Sequence, residues 1–122
     1  MKRLRKIIGV DFDGTLSNTS GIYPDAGTPI QEVIDYILYE QSQGAYLILI
    51  TMREGEALDT AVTWCRQQGI IFDAINDNLP DMKDFFKNNP RKIFCNEYID
   101  NTNLGGIELI LQEIKRKRQE TN

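Results

Sequence analysis

With 122 residues and 41% hydrophobic content, the chain has room for one domain, 1–122, around one modest core. It has no histidine, and its two cysteines, Cys65 and Cys95, lie 30 positions apart; this excludes a conventional zinc site, a Ser-His triad and a Cys-His dyad and leaves acid and base chemistry to carboxylates. The net charge is −4, but eight of the 14 Lys and Arg residues lie at positions 2–6 and 115–118, so residues 7–114 hold 6 basic against 17 acidic groups, a body that disfavours nucleic acid as a partner.

The basic start from Lys2 to Lys6 is followed by only four apolar or small residues, which does not read as a signal peptide. No apolar run approaches the roughly 20 residues of a membrane helix, so the expected location is cytoplasmic. The run Ile7-Ile8-Gly9-Val10 then reads as a buried strand, near 6–11, that stops on Asp11-Phe12-Asp13-Gly14-Thr15-Leu16. Alternation puts Asp11 and Asp13 on one side of an extended segment and turns Phe12 into the packing. Carboxylates so close repel each other, and a hard cation such as Mg2+ offsets this through oxygen ligation. Gly14 allows a sharp turn and close approach to an anion.

Residues 17–27, rich in Gly, Ser, Asn, Asp and Pro, read either as a surface loop or as a small flap with Ile22 or Tyr23 facing a substrate. Thr28-Pro29-Ile30-Gln31 has the pattern of a helix start, with Thr28 as N-cap, and the helix buries Ile30, Val33, Ile34, Ile37 and Leu38 before Gly44. A second strand, 45–51, ends at Thr51; Glu54 three positions on also makes Thr51 a capping-box residue. The next helix, about 54–68, buries Leu58, Ala61, Val62 and Cys65, with Trp64 partly packed. A strand at 70–75 leads to the turn Asn76-Asp77-Asn78, an irregular segment follows, and a strand at 95–100 precedes a helix over about 107–118. Strands alternating with helices predict a parallel sheet with right-handed crossovers. Arg53 and Asn76, at strand ends, are candidates for substrate contact.

The apolar strand with Asp-x-Asp-x-Thr resembles the first signature motif of the haloacid dehalogenase superfamily of phosphatases and phosphotransferases. Three shorter family motifs have candidates in order: Thr51 after Tyr46-Leu47-Ile48-Leu49-Ile50, Lys92 in Pro90-Arg91-Lys92-Ile93-Phe94, and Asp100 in Glu97-Tyr98-Ile99-Asp100-Asn101. The resemblance spans about residues 6–117. It implies an α/β, three-layer Rossmann-like sandwich with a mainly parallel sheet in the order 4-1-2-3. The gaps between motifs, about 35 and 40 residues, are filled by core elements, so the cap is minimal or absent.

The resemblance further implies a Mg2+-dependent phosphomonoester hydrolase acting through an aspartyl phosphate. Asp11 would be the nucleophile and Asp13 the acid and base; Asp11, Asp13 and Asp100 would hold Mg2+, Asp13 through its carbonyl. Thr51, Lys92 and backbone N–H groups near Gly14 and Met52 would bind the phosphoryl group, with Arg53, Tyr23 and Asn76 as weaker substrate contacts. The chain departs from the family at Asn101, where many members carry a second acidic residue; an amide still hydrogen-bonds a metal-bound water, at lower metal affinity. The expected substrate is a phosphorylated small molecule, with a homo-oligomer covering the open site through the flap. The alternatives are a catalytically weak or inactive metal- and phosphate-binding domain or partner scaffold, and a phospho-switch receiver domain, whose aspartate would instead follow a third strand.

Overall fold

The computed structural model describes residues 5–121. Strand β1, Ile7–Val10, is buried at every position and lies in the middle of a four-stranded parallel sheet. On one side it pairs with β4, Tyr46–Leu49, which pairs in turn with β5, Ala74–Ile75; on the other it pairs with β6, Glu97–Ile99. Between β1 and β4 a two-stranded antiparallel ribbon, β2 (Ser17–Asn18) and β3 (Thr28–Pro29), precedes helix α1, Gln31–Ser42. Helix α2 is Gly55–Gln67, α3 is Pro80–Phe86 and α4 is Gly106–Thr121.

The two-residue period of the strands divides the core between the faces of the sheet. Ile8, Val10, Leu47, Leu49 and Ile99 pack with residues of α1, α2 and α4, including Val33, Ile34, Ile37, Ala61, Cys65 and Ile114. Ile7 and Ile48 face the other way, toward Leu79 and Cys95, with Met82 of α3 and Ile93 partly buried beside them. The third layer is therefore only a two-turn helix and a loop. Burial of each large aliphatic in the first cluster contributes roughly 1.5–3 kcal/mol before conformational entropy is counted, which favours this register because a one-residue slip exchanges the two faces.

The architecture is mixed α/β with a parallel sheet. In the full six-strand count the spatial order reads β5-β4-β1-β6 and not the 4-1-2-3 written for four strands. The numbers differ because the ribbon β2-β3, which the sequence reading lacks, is counted in between. In segments the order is 97–99, 7–10, 46–49, 74–75.

Three other boundaries need correction. Thr28 and Pro29 do not start α1: they pair with Asn18 and Ser17, and the helix is preceded by Ile30 with no side-chain cap. The third strand shrinks to two residues because the Asp73 carboxylate, where a carbonyl would continue the ladder, accepts from Leu47 N–H at 2.8 Å. Likewise Asn96 Oδ1 accepts from Ile7 N–H at 2.8 Å and delays β6. The irregular segment contains α3, which buries no residue fully and so writes no apolar stripe. Phe12 is fully buried, edge-on to Trp64 at 5.5 Å, and both cysteines are buried free thiols, pushed up to about 12 and 11 by burial.

The basic ends are partly structural. Lys6 pairs with Glu40 at 2.7 Å and Glu97 at 3.1 Å, while Lys117 reaches Glu97 at 3.0 Å beside the Tyr36 hydroxyl. Among the described residues no helix is long and apolar enough to cross a membrane.

Candidate active site

The carboxyl ends of the parallel strands bring the acidic residues together, as open α/β sheets do for ligand sites. Val10 is in register with both Leu49 and Ile99, so the next residues, Asp11, Ile50 and Asp100, are neighbours at the sheet's end, with Thr51 one step further along β4. Asp11 N–H continues the ladder onto Ile99 O at 2.9 Å. Burial, then the charge of Asp100 and more weakly that of Asp13, pushes the Asp11 carboxyl up to about 7, against hydrogen bonds from Phe12 N–H and the Thr15 hydroxyl. Asp100 Oδ1 accepts from Thr102 N–H and Oγ1 at 2.9 and 2.7 Å; its other oxygen takes no hydrogen bond from a described residue.

The turn after β1 fixes the rest. Phe12 O accepts from the N–H groups of Thr15, Leu16 and Ser17, and Thr15, fully buried, uses its hydroxyl to join this turn to the end of β6: Oγ1 donates to Asp11 Oδ2 at 3.3 Å and accepts from Asn101 N–H at 2.9 Å. Thr15 and Asn101 are thus parts of the site, signalled in the sequence only by the Thr of Asp-x-Asp-x-Thr and by the residue after Asp100.

The Asp13 carboxylate does not join Asp11. Arg53, 2% exposed, holds it in a fork, Nε to Oδ2 and Nη2 to Oδ1 both at 2.9 Å, and Thr19 Oγ1 adds a 2.7 Å bond to Oδ1. These bonds, Arg53's foremost, keep the Asp13 carboxyl below its ordinary value despite burial. The other three guanidinium N–H groups go to Pro24 O, Ala57 O and Asp25 O at 2.8, 2.9 and 3.1 Å. All five donors are used, so Arg53 has none for a phosphoryl group, which corrects its reading as a substrate contact. Its plane lies between the rings of Phe12 and Tyr23, each 4.8 Å away. The 17–27 segment is therefore pinned at Tyr23, Pro24 and Asp25 by the same side chain that orients Asp13, leaving Ile22 and Tyr23 partly exposed.

The remaining sequence candidates separate. Thr51 Oγ1 accepts from Arg53 N–H at 3.1 Å and retains its own proton to donate; Glu54, not Thr51, precedes α2, and no side chain caps it. Asn76, in the left-handed region at φ 51°, clamps Thr51 from both sides, Oδ1 accepting from its N–H and Nδ2 donating to its carbonyl at 2.8 and 2.9 Å. It supports Thr51 and does not reach outward as the substrate contact expected of it. Met52 projects into solvent, and its N–H makes no hydrogen bond among the described residues. Gly14 N–H is spent on Ser17 O at 2.8 Å, so it is not the phosphate donor the turn suggested. Lys92 is exposed, its Nζ 5.9 Å from the Tyr98 ring centroid, with no hydrogen bond or ion pair to Asp11 among the described residues.

Among the described residues, no three His, Cys, Asp or Glu side chains gather as a metal cluster; Arg53 holds the Asp13 side chain, which leaves that residue its backbone carbonyl as the oxygen toward Asp11. The donor set that remains is all oxygen: the carboxylates of Asp11 and Asp100, close enough for one charge to perturb the other, and the Asp13 carbonyl, which shares the Asn101 amide with Asp11. These residues fit a hard divalent cation, which takes carboxylate and carbonyl oxygens and offsets like charge.

A solved structure of a conserved protein from Bacteroides thetaiotaomicron is similar to this chain, with 36% identity, a TM-score of 0.73 and coverage of 93% of each chain. At that identity and coverage, the chain belongs to the same family as that protein. No family model matches the sequence, and no curated protein does.

Proposed function

We propose that this chain is a Mg2+-dependent phosphomonoester hydrolase of the haloacid dehalogenase type, acting through an aspartyl phosphate on Asp11. The observation that carries the reading is the pairing of Asp11 with Asp100 at the carboxyl end of the central strand, with the Thr51 hydroxyl and Met52 N–H as free donors at the end of the adjacent strand. Phosphoryl transfer needs an in-line nucleophile, neutralisation of the equatorial oxygens and a route for the leaving-group proton.

Asp11 attacks phosphorus and the ester P–O bond breaks, its electron pair leaving on the alkoxide or aryloxide, which takes its proton from solvent water. Thr51 and Met52 donate to the phosphoryl oxygens. Mg2+, when bound by Asp11, Asp100 and the Asp13 carbonyl, supplies positive charge beside those oxygens and favours ionised Asp11. Asp13 is held as a carboxylate by Arg53 and Thr19, so it is in the ionised form needed to take a proton from the water that hydrolyses the aspartyl phosphate, as a weak base. The same clamp keeps Asp13 unprotonated, with no proton to give the leaving oxygen, so esters with good leaving groups, such as aryl phosphates, are the better substrates.

The substrate class is a phosphorylated small molecule reaching the site past Ile22 and Tyr23, whose exposure also supports a homo-oligomeric cover there. A domain that binds cation and phosphate without turnover is the second reading, favoured by the seat of Lys92 over Tyr98. Hydrolysis of an aryl phosphate in Mg2+ and in EDTA distinguishes the two: the enzyme reading expects turnover that EDTA abolishes, and full activity in chelator refutes the metal model.

A further inference from the structure

The side chain of Asn101 occupies a position that the proposed function leaves without a role. Three acceptors surround the inner end of its amide: the Asp13 carbonyl and Asp11 Oδ2, each at 3.1 Å, and Thr15 Oγ1 at 3.2 Å. With the Thr15 hydroxyl proton on Asp11 Oδ2, an oxygen there would meet only lone pairs, so the NH2 is the inner group, and it bridges Asp11 to the Asp13 carbonyl. The backbone seats the residue as well, through Asn101 N–H on Thr15 Oγ1. Gly14, at φ +80°, leaves room for it: a Cβ there would lie 2.9 Å from Asn101 Cγ, inside contact distance.

Those two bridged oxygens are ones a Mg2+ ion would take under the phosphatase reading, on which this inference rests. Mg2+ binds oxygen at about 2.0–2.1 Å with little tolerance for distortion. An ion held by both oxygens and an NH2 group spanning the same pair crowd each other, and the N–H hydrogens carry positive charge toward the ion. We propose that Asn101 competes with the cation: its amide turns away from Asp11 and the Asp13 carbonyl before the cation takes both, so this residue lowers the cation affinity of the site. A supporting role, in which the amide holds a metal-bound water, has the opposite sign.

Calorimetric Mg2+ titration of the full chain, the wild type beside Asn101→Ala and Asn101→Ser, separates the two. Serine keeps a polar group too short to bridge both oxygens. Competition predicts that both variants bind Mg2+ more tightly, by about threefold to tenfold, tenfold being about 1.4 kcal/mol. In EDTA both should melt below the wild type, since Asp11 loses a donor, so the rise in Tm on adding Mg2+ is larger. In the wild type, the Asn101 side-chain NH2 resonances should shift during the titration, whatever the variants' stability. Weaker or unchanged Mg2+ binding in the variants, or NH2 resonances that stay in place while the wild type binds Mg2+ and turns over, overturns the competition and leaves the phosphatase reading standing. No Mg2+ binding by any of the three overturns both.

Discussion

Replacing Arg53 with alanine should destabilise the fold more than any other single change at the site. The side chain is almost fully buried, its five N–H groups all have acceptors, and it is packed between two rings. Breaking a buried ion pair from one side costs about 3–5 kcal/mol. The Asp13 side chain is 33% exposed, so water screens part of the loss and the lower end, about 3 kcal/mol, is the expectation. For a chain of this length that is roughly 12 °C in Tm, at about 4 °C per kcal/mol. Arg53→Lys keeps the charge but not the fork and should recover less than half.

Acid titration gives an independent check on the same pair. The Asp13 carboxyl sits below its ordinary 3.8 when folded, chiefly through Arg53. Its contribution to stability is therefore present above 3.8 and is lost as pH falls through the lower folded value. The wild type should lose that increment on acidification, and Arg53→Ala should lose less. Urea melts across pH read both effects. A loss below about 1 kcal/mol, the size of an exposed ion pair, together with a raised KM, would refute the clamp and return Arg53 to substrate binding.

Gly14→Ala should cost about 1–2 kcal/mol in a urea melt, because φ is +80° and the new Cβ runs into the Asn101 amide; an unchanged midpoint would mean that the turn relaxes. Glu97 is held below its ordinary 4.5, since hydrogen bonds from Tyr36, Lys117 and Lys6 outweigh its burial. Its contribution is complete above 4.5 and is lost as pH falls through the folded value, so Glu97→Gln should be less stable near neutrality and lose less on acidification. Light scattering at micromolar concentration tests the subunit cover over Ile22 and Tyr23: a multiple of 14.0 kDa is expected, and a fully active monomer excludes it.

What the sequence revealed was what local pattern encodes. The run Ile7–Val10 ending on Asp11 marks a buried central strand and the end that carries the candidate site. Thr51 and Asp100 are legible because they close two other apolar strands, which parallel pairing brings alongside the strand that ends on Asp11. Non-local contacts were not legible. Arg53 reads as a strand-end cation, yet its acceptors come from positions 13, 24, 25 and 57, which no sequence spacing links. Thr28-Pro29 has a helix-start pattern, but pairing with Ser17-Asn18 prevails. Asp73 and Asn96 read as strand residues and Asn76 as a turn residue, whereas the side chains of all three finish the backbone ladders of neighbouring strands. Lys92 fits its motif in sequence only, because nothing local specifies its seat over Tyr98.

If Asp11 is the nucleophile of the proposed reaction, it becomes covalently phosphorylated during turnover, and borohydride trapping detects that species. The protein is mixed with an aryl phosphate and Mg2+, reduced during turnover, digested and mapped by mass spectrometry. Hydride reduction of an aspartyl phosphate converts that residue to homoserine. Homoserine is expected at position 11 and nowhere else, dependent on substrate and lost in EDTA and in Asp11→Asn. Turnover without modification at Asp11, or wild-type turnover by Asp11→Asn, would contradict it.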